Sequence, residues 1–257
     1  MPKTYASSYE MSRAIRTTPD RWALRDAFLR DLVQNGVCVI SGTDASAPAD
    51  ILRVARLLGT TDLGVTAEMS GPLVMDIRYD GTKTTADRRP SYFSCDRFPV
   101  HTDMSYVPSP PRFLLTQCVH PGGGFGGATL LADCSHAWTA LPPDSQTTLS
   151  EALFTFAYPP NCDEGHTEPL AIYAATGHTP RWRFRSDGMA YPPSAIDALN
   201  NFREALDATT VTHRLQSGDL LVVDNTRVAH GRTAFSGVGA SERHLRRVYA
   251  RDLHDGR

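Results

Sequence analysis

Pro99-Val-His-Thr-Asp-Met-Ser-Tyr106 sets an imidazole and a carboxylate two residues apart, at His101 and Asp103. Side chains alternate across a β-strand, so a strand over Val100–Asp103 points both groups to one face and Thr102 to the other. Paired on a rigid strand, they form two thirds of a metal site. The missing third is offered far downstream by His230, in Val222-Val-Asp-Asn-Thr-Arg-Val-Ala-His-Gly-Arg232. An H-x-D alone is weak evidence, and its surroundings decide the reading.

On both sides of that stretch the chain reads as many short strands with a few helices. Pro19–Asn35 carries Trp22, Leu24, Phe28, Leu32 and Val33 at roughly helical spacing, and Asn35-Gly36 stops it before a short buried strand, Val37–Ile40. Ala47–Leu58 is a second amphipathic helix, with Ile51, Val54, Ala55 and Leu58 on one face and Gly59 at its C-terminal end. Strands are expected at Leu73–Tyr79, Arg112–His120, Ala128–Ala132, Leu153–Tyr158, Ala171–Ala175, Arg181–Arg185 and Leu245–Leu253. Ser135–Leu141 opens a helix, and Ser194 is the expected N-cap of another that carries Ile196, Leu199, Phe202 and Leu206. Thr210–Leu215 and Asp219–Asp224 flank Gln216-Ser-Gly218 as an expected hairpin. Asp80–Phe98 is polar and aperiodic, and its place before the metal strand suggests a lid. Gly122–Gly127 lacks the lysine and strand–loop–helix setting of a phosphate loop and reads as a flexible turn. The sum is mainly β with flanking helices, a double-sheet jelly roll (double-stranded β-helix) in one domain over 1–257 with its core at about 20–253.

Composition narrows the function. With 41% hydrophobic and 21% charged residues the 257-residue chain has the makeup of a globular protein. A formal charge of −2 gives no bulk attraction to nucleic acid or anionic membrane. The five cysteines form no C-x-x-C, and Cys38 and Cys118 sit in apolar runs, as reduced thiols in a cytosolic protein do. No signal-peptide pattern and no membrane-length apolar run is present, so a soluble cytoplasmic protein is expected. Of the 26 basic residues only Lys3 and Lys83 are lysines. Arginine suits bidentate carboxylate recognition, although genome composition gives the same bias.

Four blocks carry a resemblance: His101-Thr-Asp103; Gly126-Gly-Ala-Thr-Leu-Leu-Ala-Asp133; Gly218-Asp-Leu-Leu-Val-Val-Asp-Asn225 running to His230-Gly-Arg232; and Arg243-His-Leu-Arg-Arg247. In order and separation they resemble the iron(II)/2-oxoglutarate-dependent dioxygenases of the taurine dioxygenase (TauD/TfdA) superfamily, with wording closest to the clavaminate synthase-like and amino-acid-hydroxylase branch. The resemblance implies that His101, Asp103 and His230 hold Fe(II), since two histidines and one carboxylate on one face leave positions open for 2-oxoglutarate and O2. It further implies that Arg243 grips the far carboxylate of 2-oxoglutarate, with Arg247 in reserve on the same strand face, and that the Thr129 hydroxyl meets that carboxylate. The implied reaction is hydroxylation of an unactivated C–H bond, coupled to decarboxylation of 2-oxoglutarate to succinate and CO2.

The implied partner is a small molecule, amino-acid-like and carboxylate-bearing, with Arg185 or Arg227 as its cation. Arg232 either meets the co-substrate or pairs with a carboxylate. Asp224-Asn225 reads as a strand-end turn. His120, His136, His166, His178, His213, His244 and His254 lack partner spacing and are expected to be surface or packing residues. Two competing readings are a metal-binding jelly-roll sensor and a zinc hydrolase. Both explain the triad, and neither explains Thr129 together with Arg243.

Overall fold

The computed structural model describes residues 14–16, 21–60, 73–78, 94–158, 165–176, 179–236 and 242–252. Two β-sheets form its frame. The larger runs in the order Ala14–Arg16, Val37–Ser41, Leu220–Asp224, Phe113–His120, His244–Asp252, Gly59–Thr60, and Met75–Arg78 also pairs with His244–Asp252. Among its described strands only Ala14–Arg16 joins it in parallel. The smaller sheet is antiparallel throughout, in the order Val211–His213, Thr129–Asp133, Val228–Arg232, Phe98–His101.

Apolar patterning explains the layering. Leu220-Leu-Val-Val223 is apolar at every position, as a strand covered on both faces must be. Its Leu220 and Val222 join Phe113, Leu115, Val248 and Ala250 under two helices, α1 (Arg21–Asn35) and α2 (Ala49–Leu58), which contribute Phe28, Leu32, Ile51, Ala55 and Leu58. Its Leu221 and Val223 face the other way and meet Leu131 and Val228 of the smaller sheet, together with Leu114, Cys118 and Leu245. The outer face of the smaller sheet, through Val100, Leu130, Ala132 and Ala229, packs on α3 (Cys134–Thr139), α4 (Pro143–Ser150) and α5 (Ile196–Thr209). Leu115→Ala is expected to cost about 2–5 kcal/mol, because a fully buried side chain leaves a cavity between two layers. Denaturant unfolding should show the midpoint falling with the slope unchanged.

Several expectations change on contact with the structure. The hairpin is absent: Val211–His213 pairs with Thr129–Asp133 in the smaller sheet, whereas Leu220–Asp224 sits inside the larger one. The half-covered Val211–His213 suits a sheet edge, and the all-apolar Leu220–Val223 needs neighbours on both sides. Gly218, at φ 85°, turns the chain between them where a Cβ would lie 3.0 Å from Thr43 O. Ser194 is not the N-cap of α5. It lies in a 3-10 turn, Pro193–Ala195, that precedes the helix, because Pro192-Pro193 presets φ for a helical turn. Val33, expected in the core, is 76% exposed; Phe28 and Leu32 carry the buried face. Helix α4 was not legible, since Leu149 is its one buried apolar residue. The lid candidate falls outside the described residues over 80–93. Cys38, Cys118 and Cys134 are free and buried, as small hydrophobes. Among the described residues no helix is long and apolar enough to cross a membrane.

Candidate metal centre

His101 ends the strand Phe98–His101, and His230 lies directly opposite it on Val228–Arg232. The ring centroids are 4.6 Å apart. The pairing shifts register between His230 and Arg232, where a Cβ on Gly231 would lie 2.5 Å from Phe98 O. Glycine there lets the two ligand-bearing strands approach.

Asp103 arrives by a different route from the one strand alternation predicts. The strand stops at His101, and Thr102 turns away, its N–H donating to Phe184 O at 2.8 Å and its Oγ1 accepting from Phe184 N at 3.0 Å. Asp103 lies in the turn, followed by Met104 at φ 56°, a left-handed conformation that a non-glycine residue adopts under constraint. The turn folds the carboxylate back so that Oδ1 is 3.1 Å from His101 Nε2 and Oδ2 is 3.6 Å from His230 Nε2. The candidate ligand atoms of the three buried residues all lie within 4.8 Å of one another.

Protonation suits a cation. His101 Nδ1 lies 2.9 Å from Pro99 O, which accepts its proton and leaves the lone pair on Nε2, facing Asp103. Both ring nitrogens of His230 are buried without a hydrogen-bond partner among the described residues. An orphaned buried polar atom costs about 1–3 kcal/mol, and a metal at Nε2 removes that cost for one of them. Burial, outweighing the pull of Asp103, lowers the His230 pKa to about 4, so the ring is neutral at neutral pH, the form that binds metal. Burial opposes the charge on Asp103, but the Arg247 guanidinium beside it holds the carboxyl well below the usual range. Arg247 Nη1 at 3.0 Å and Tyr249 Oη at 2.8 Å both donate to Asp103 Oδ2. Two imidazoles and one carboxylate on one side are a donor set for ferrous iron with open positions.

Arg243 immediately precedes the strand His244–Asp252, along which Leu245, Arg247 and Tyr249 share one face. It is 7% exposed, its guanidinium carbon 5.4 Å from the Phe235 ring centre, and it makes no ion pair with a described carboxylate. Burial lowers its pKa to about 10, which leaves it charged. Thr129 is half-buried and pairs in register with Arg232, as Leu131 does with His230, so all four side chains share one face.

A family model described as "Taurine catabolism dioxygenase TauD, TfdA family" matches residues 16–249. The chain belongs to the TauD/TfdA family. L-asparagine oxygenase of Streptomyces coelicolor is 30% identical over 154 residues, covering 58% of this chain and 46% of that protein. Clavaminate synthase 2 of Streptomyces clavuligerus is 26% identical over 163 residues, covering 61% and 50%. The matched stretch thus spans about half the length of these relatives. Among solved structures, asparagine oxygenase with Fe(II), 2S,3S-3-hydroxyasparagine and succinate superposes with a TM-score of 0.75 at 21% identity, over 89% of this chain and 79% of that one. The non-heme iron oxygenase OrfP with Fe and alpha-ketoglutaric acid gives 0.72 at 19% identity, over 90% and 80%.

Within this TauD/TfdA protein the remaining arginines find other work than expected. Arg227 is not a cation awaiting substrate: its Nε and Nη2 lie 3.1 and 2.6 Å from Asp133 Oδ2, and Asp133 also caps α3. Arg185 pairs with Asp187 at 3.1 Å, which neutralises it. Arg232 donates to the carbonyls of Ser94 and Asp96 at 2.7 and 2.6 Å and stacks over Phe235. Tyr249 at the site escaped sequence reading, and Asn225 was read only as part of a strand-end turn. Tyr249 was findable from its even spacing to Arg247 and Arg243. Asn225 carried no such signal, because its contact spans 122 residues.

Proposed function

We propose that this protein is an Fe(II)- and 2-oxoglutarate-dependent dioxygenase that hydroxylates a C–H bond of a small amino-acid-like substrate. The observation that carries the reading is the buried His101–Asp103–His230 cluster, with His230 lacking a hydrogen-bond partner among the described residues. His101, Asp103 and His230 would hold Fe(II). Arg243 and the Thr129 hydroxyl would take the far carboxylate of 2-oxoglutarate, a bidentate task for a buried guanidinium. Once bound, iron with 2-oxoglutarate and O2 supplies the oxidising chemistry, releasing succinate and CO2. The chain's part is to orient the ligands, keep water out and hold the substrate. A sensor or a zinc hydrolase would leave the buried Arg243 without a role.

The fold reading belongs with this proposal. Main strands from Met75–Arg78 onward alternate largely between the larger and smaller sheets, as a double-stranded β-helix requires. One domain holds every named residue. The relative named L-asparagine oxygenase, and the asparagine oxygenase structure holding 2S,3S-3-hydroxyasparagine, support an amino-acid-like substrate. Arg227, Arg185 and Arg247 are each paired with a carboxylate, that of Asp133, Asp187 and Asp103 in turn.

A panel of L-amino acids, assayed for succinate release with Fe(II) and 2-oxoglutarate, tests the reading; no metal-dependent succinate with any member would sink it. Asp103 also sets the product. Its carboxylate would take one metal position and its charge would oppose a second anion there, so product made in chloride buffer should gain oxygen. Mass spectrometry showing chlorine in place of oxygen would contradict that role.

A further inference from the structure

We propose that Asn225 is a positioning residue that holds the turn bearing the metal-binding Asp103 and ties the two halves of the centre together. The inference rests on the metal-centre reading and deepens it. Asp103 lies beyond the end of its strand, so no ladder partner is available to its backbone. The Asn225 amide takes that place. Its Oδ1 accepts from Asp103 N at 2.7 Å, and its Nδ2 donates to Asp103 O and to Pro111 O, both at 3.0 Å. The oxygen and both amide hydrogens are thereby used, in a side chain 1% exposed.

The clamp has a rigid base. Asn225 N donates to Arg112 O at 2.7 Å, and Trp182 N donates to Thr226 O at 3.1 Å. Asp224 Oδ1 accepts from Thr226 N and Oγ1, and its Oδ2 faces Arg112 Nε at 3.3 Å. The strand carrying His230 starts three residues later, at Val228. One amide therefore links the Asp103 turn to the segment that delivers His230. The residue type matters. A carboxylate of the same shape would keep the bond to Asp103 N but turn an oxygen towards two carbonyl oxygens, forcing the turn open.

The test is Co(II) binding to metal-free wild type, Asn225→Asp and Asn225→Ala, read by visible absorption. Circular dichroism and thermal unfolding of the metal-free proteins serve as fold controls. Outer partners of metal ligands typically carry 10–100-fold in affinity, and a loss of about that size is expected in both variants. Asn225→Asp should be at least as weak as Asn225→Ala. A packing role predicts the reverse, since Asp fills the same space. Affinity within twofold of wild type in either folded variant, or Asn225→Asp clearly tighter than Asn225→Ala, overturns the inference. Should Asn225→Asp lack a cooperative transition, Asn225→Ser joins Asn225→Ala under the same twofold criterion. A wild type that binds no Co(II), or a His101→Ala variant that binds it equally well, would instead overturn the metal centre itself.

Discussion

His230→Ala is expected to abolish Fe(II)-dependent succinate release and to weaken metal binding by more than about 100-fold. Partners that only orient a ligand typically carry 10–100-fold, and His230 is itself one of three proposed ligands. The metal-free fold should survive. The His230 ring makes no hydrogen bond to a described residue, and its strand is held by main-chain pairing to Thr129–Asp133 and Phe98–His101. Removing a buried imidazole with two orphaned nitrogens offsets part of the cavity that alanine leaves. Thermal unfolding with and without metal separates the effects. Wild type should gain about 2.7 kcal/mol at a metal concentration 100 times its Kd, and the variant almost nothing. Near-normal turnover by His230→Ala would show that the triad is not the metal centre.

Arg243→Ala should raise the KM for 2-oxoglutarate far more than it alters metal affinity. Losing one partner of a desolvated charge pair costs roughly 2–5 kcal/mol, about 30-fold to more than 1,000-fold in affinity. The desolvation is already in place: Arg243 is 7% exposed, stacked near Phe235, and has no described carboxylate as a partner. Arg243→Lys should recover little, because an ammonium does not offer the planar fork. Steady-state kinetics in 2-oxoglutarate beside a Co(II) titration makes the split visible. Unchanged 2-oxoglutarate dependence would transfer the role to Arg247, which in this structure is held by Asp103 Oδ2 at 3.0 Å.

How the triad assembles divides into a legible part and a hidden one. His101 and His230 meet as expected, because each sits on a strand and facing strands set side-chain direction. Asp103 joins them for a reason different from the one anticipated. Alternation along Val100–Asp103 gave the correct neighbours, yet the strand ends at His101, and a turn with Met104 at φ 56° brings the carboxylate round. The predicted hairpin failed for a related cause. A three-residue connection is compatible with pairing, but which sheet a strand joins depends on how many of its faces must be covered.

By itself the sequence determined which residues could carry chemistry, where most strands run and which family they resemble. These are local properties, recorded in side-chain period and in motifs a few residues long. Tertiary structure alone decided that Arg227 is spent on Asp133, that Arg247 and Tyr249 hold Asp103, and that Asn225 replaces the missing ladder partner of the Asp103 turn. Those partners lie 94, 144, 146 and 122 residues apart. Arg227 meets Asp133 through strand pairing within the smaller sheet, and Arg247 and Tyr249 reach Asp103 from the larger one, so each contact depends on how the whole apolar pattern pairs and packs the strands rather than on either residue of the pair.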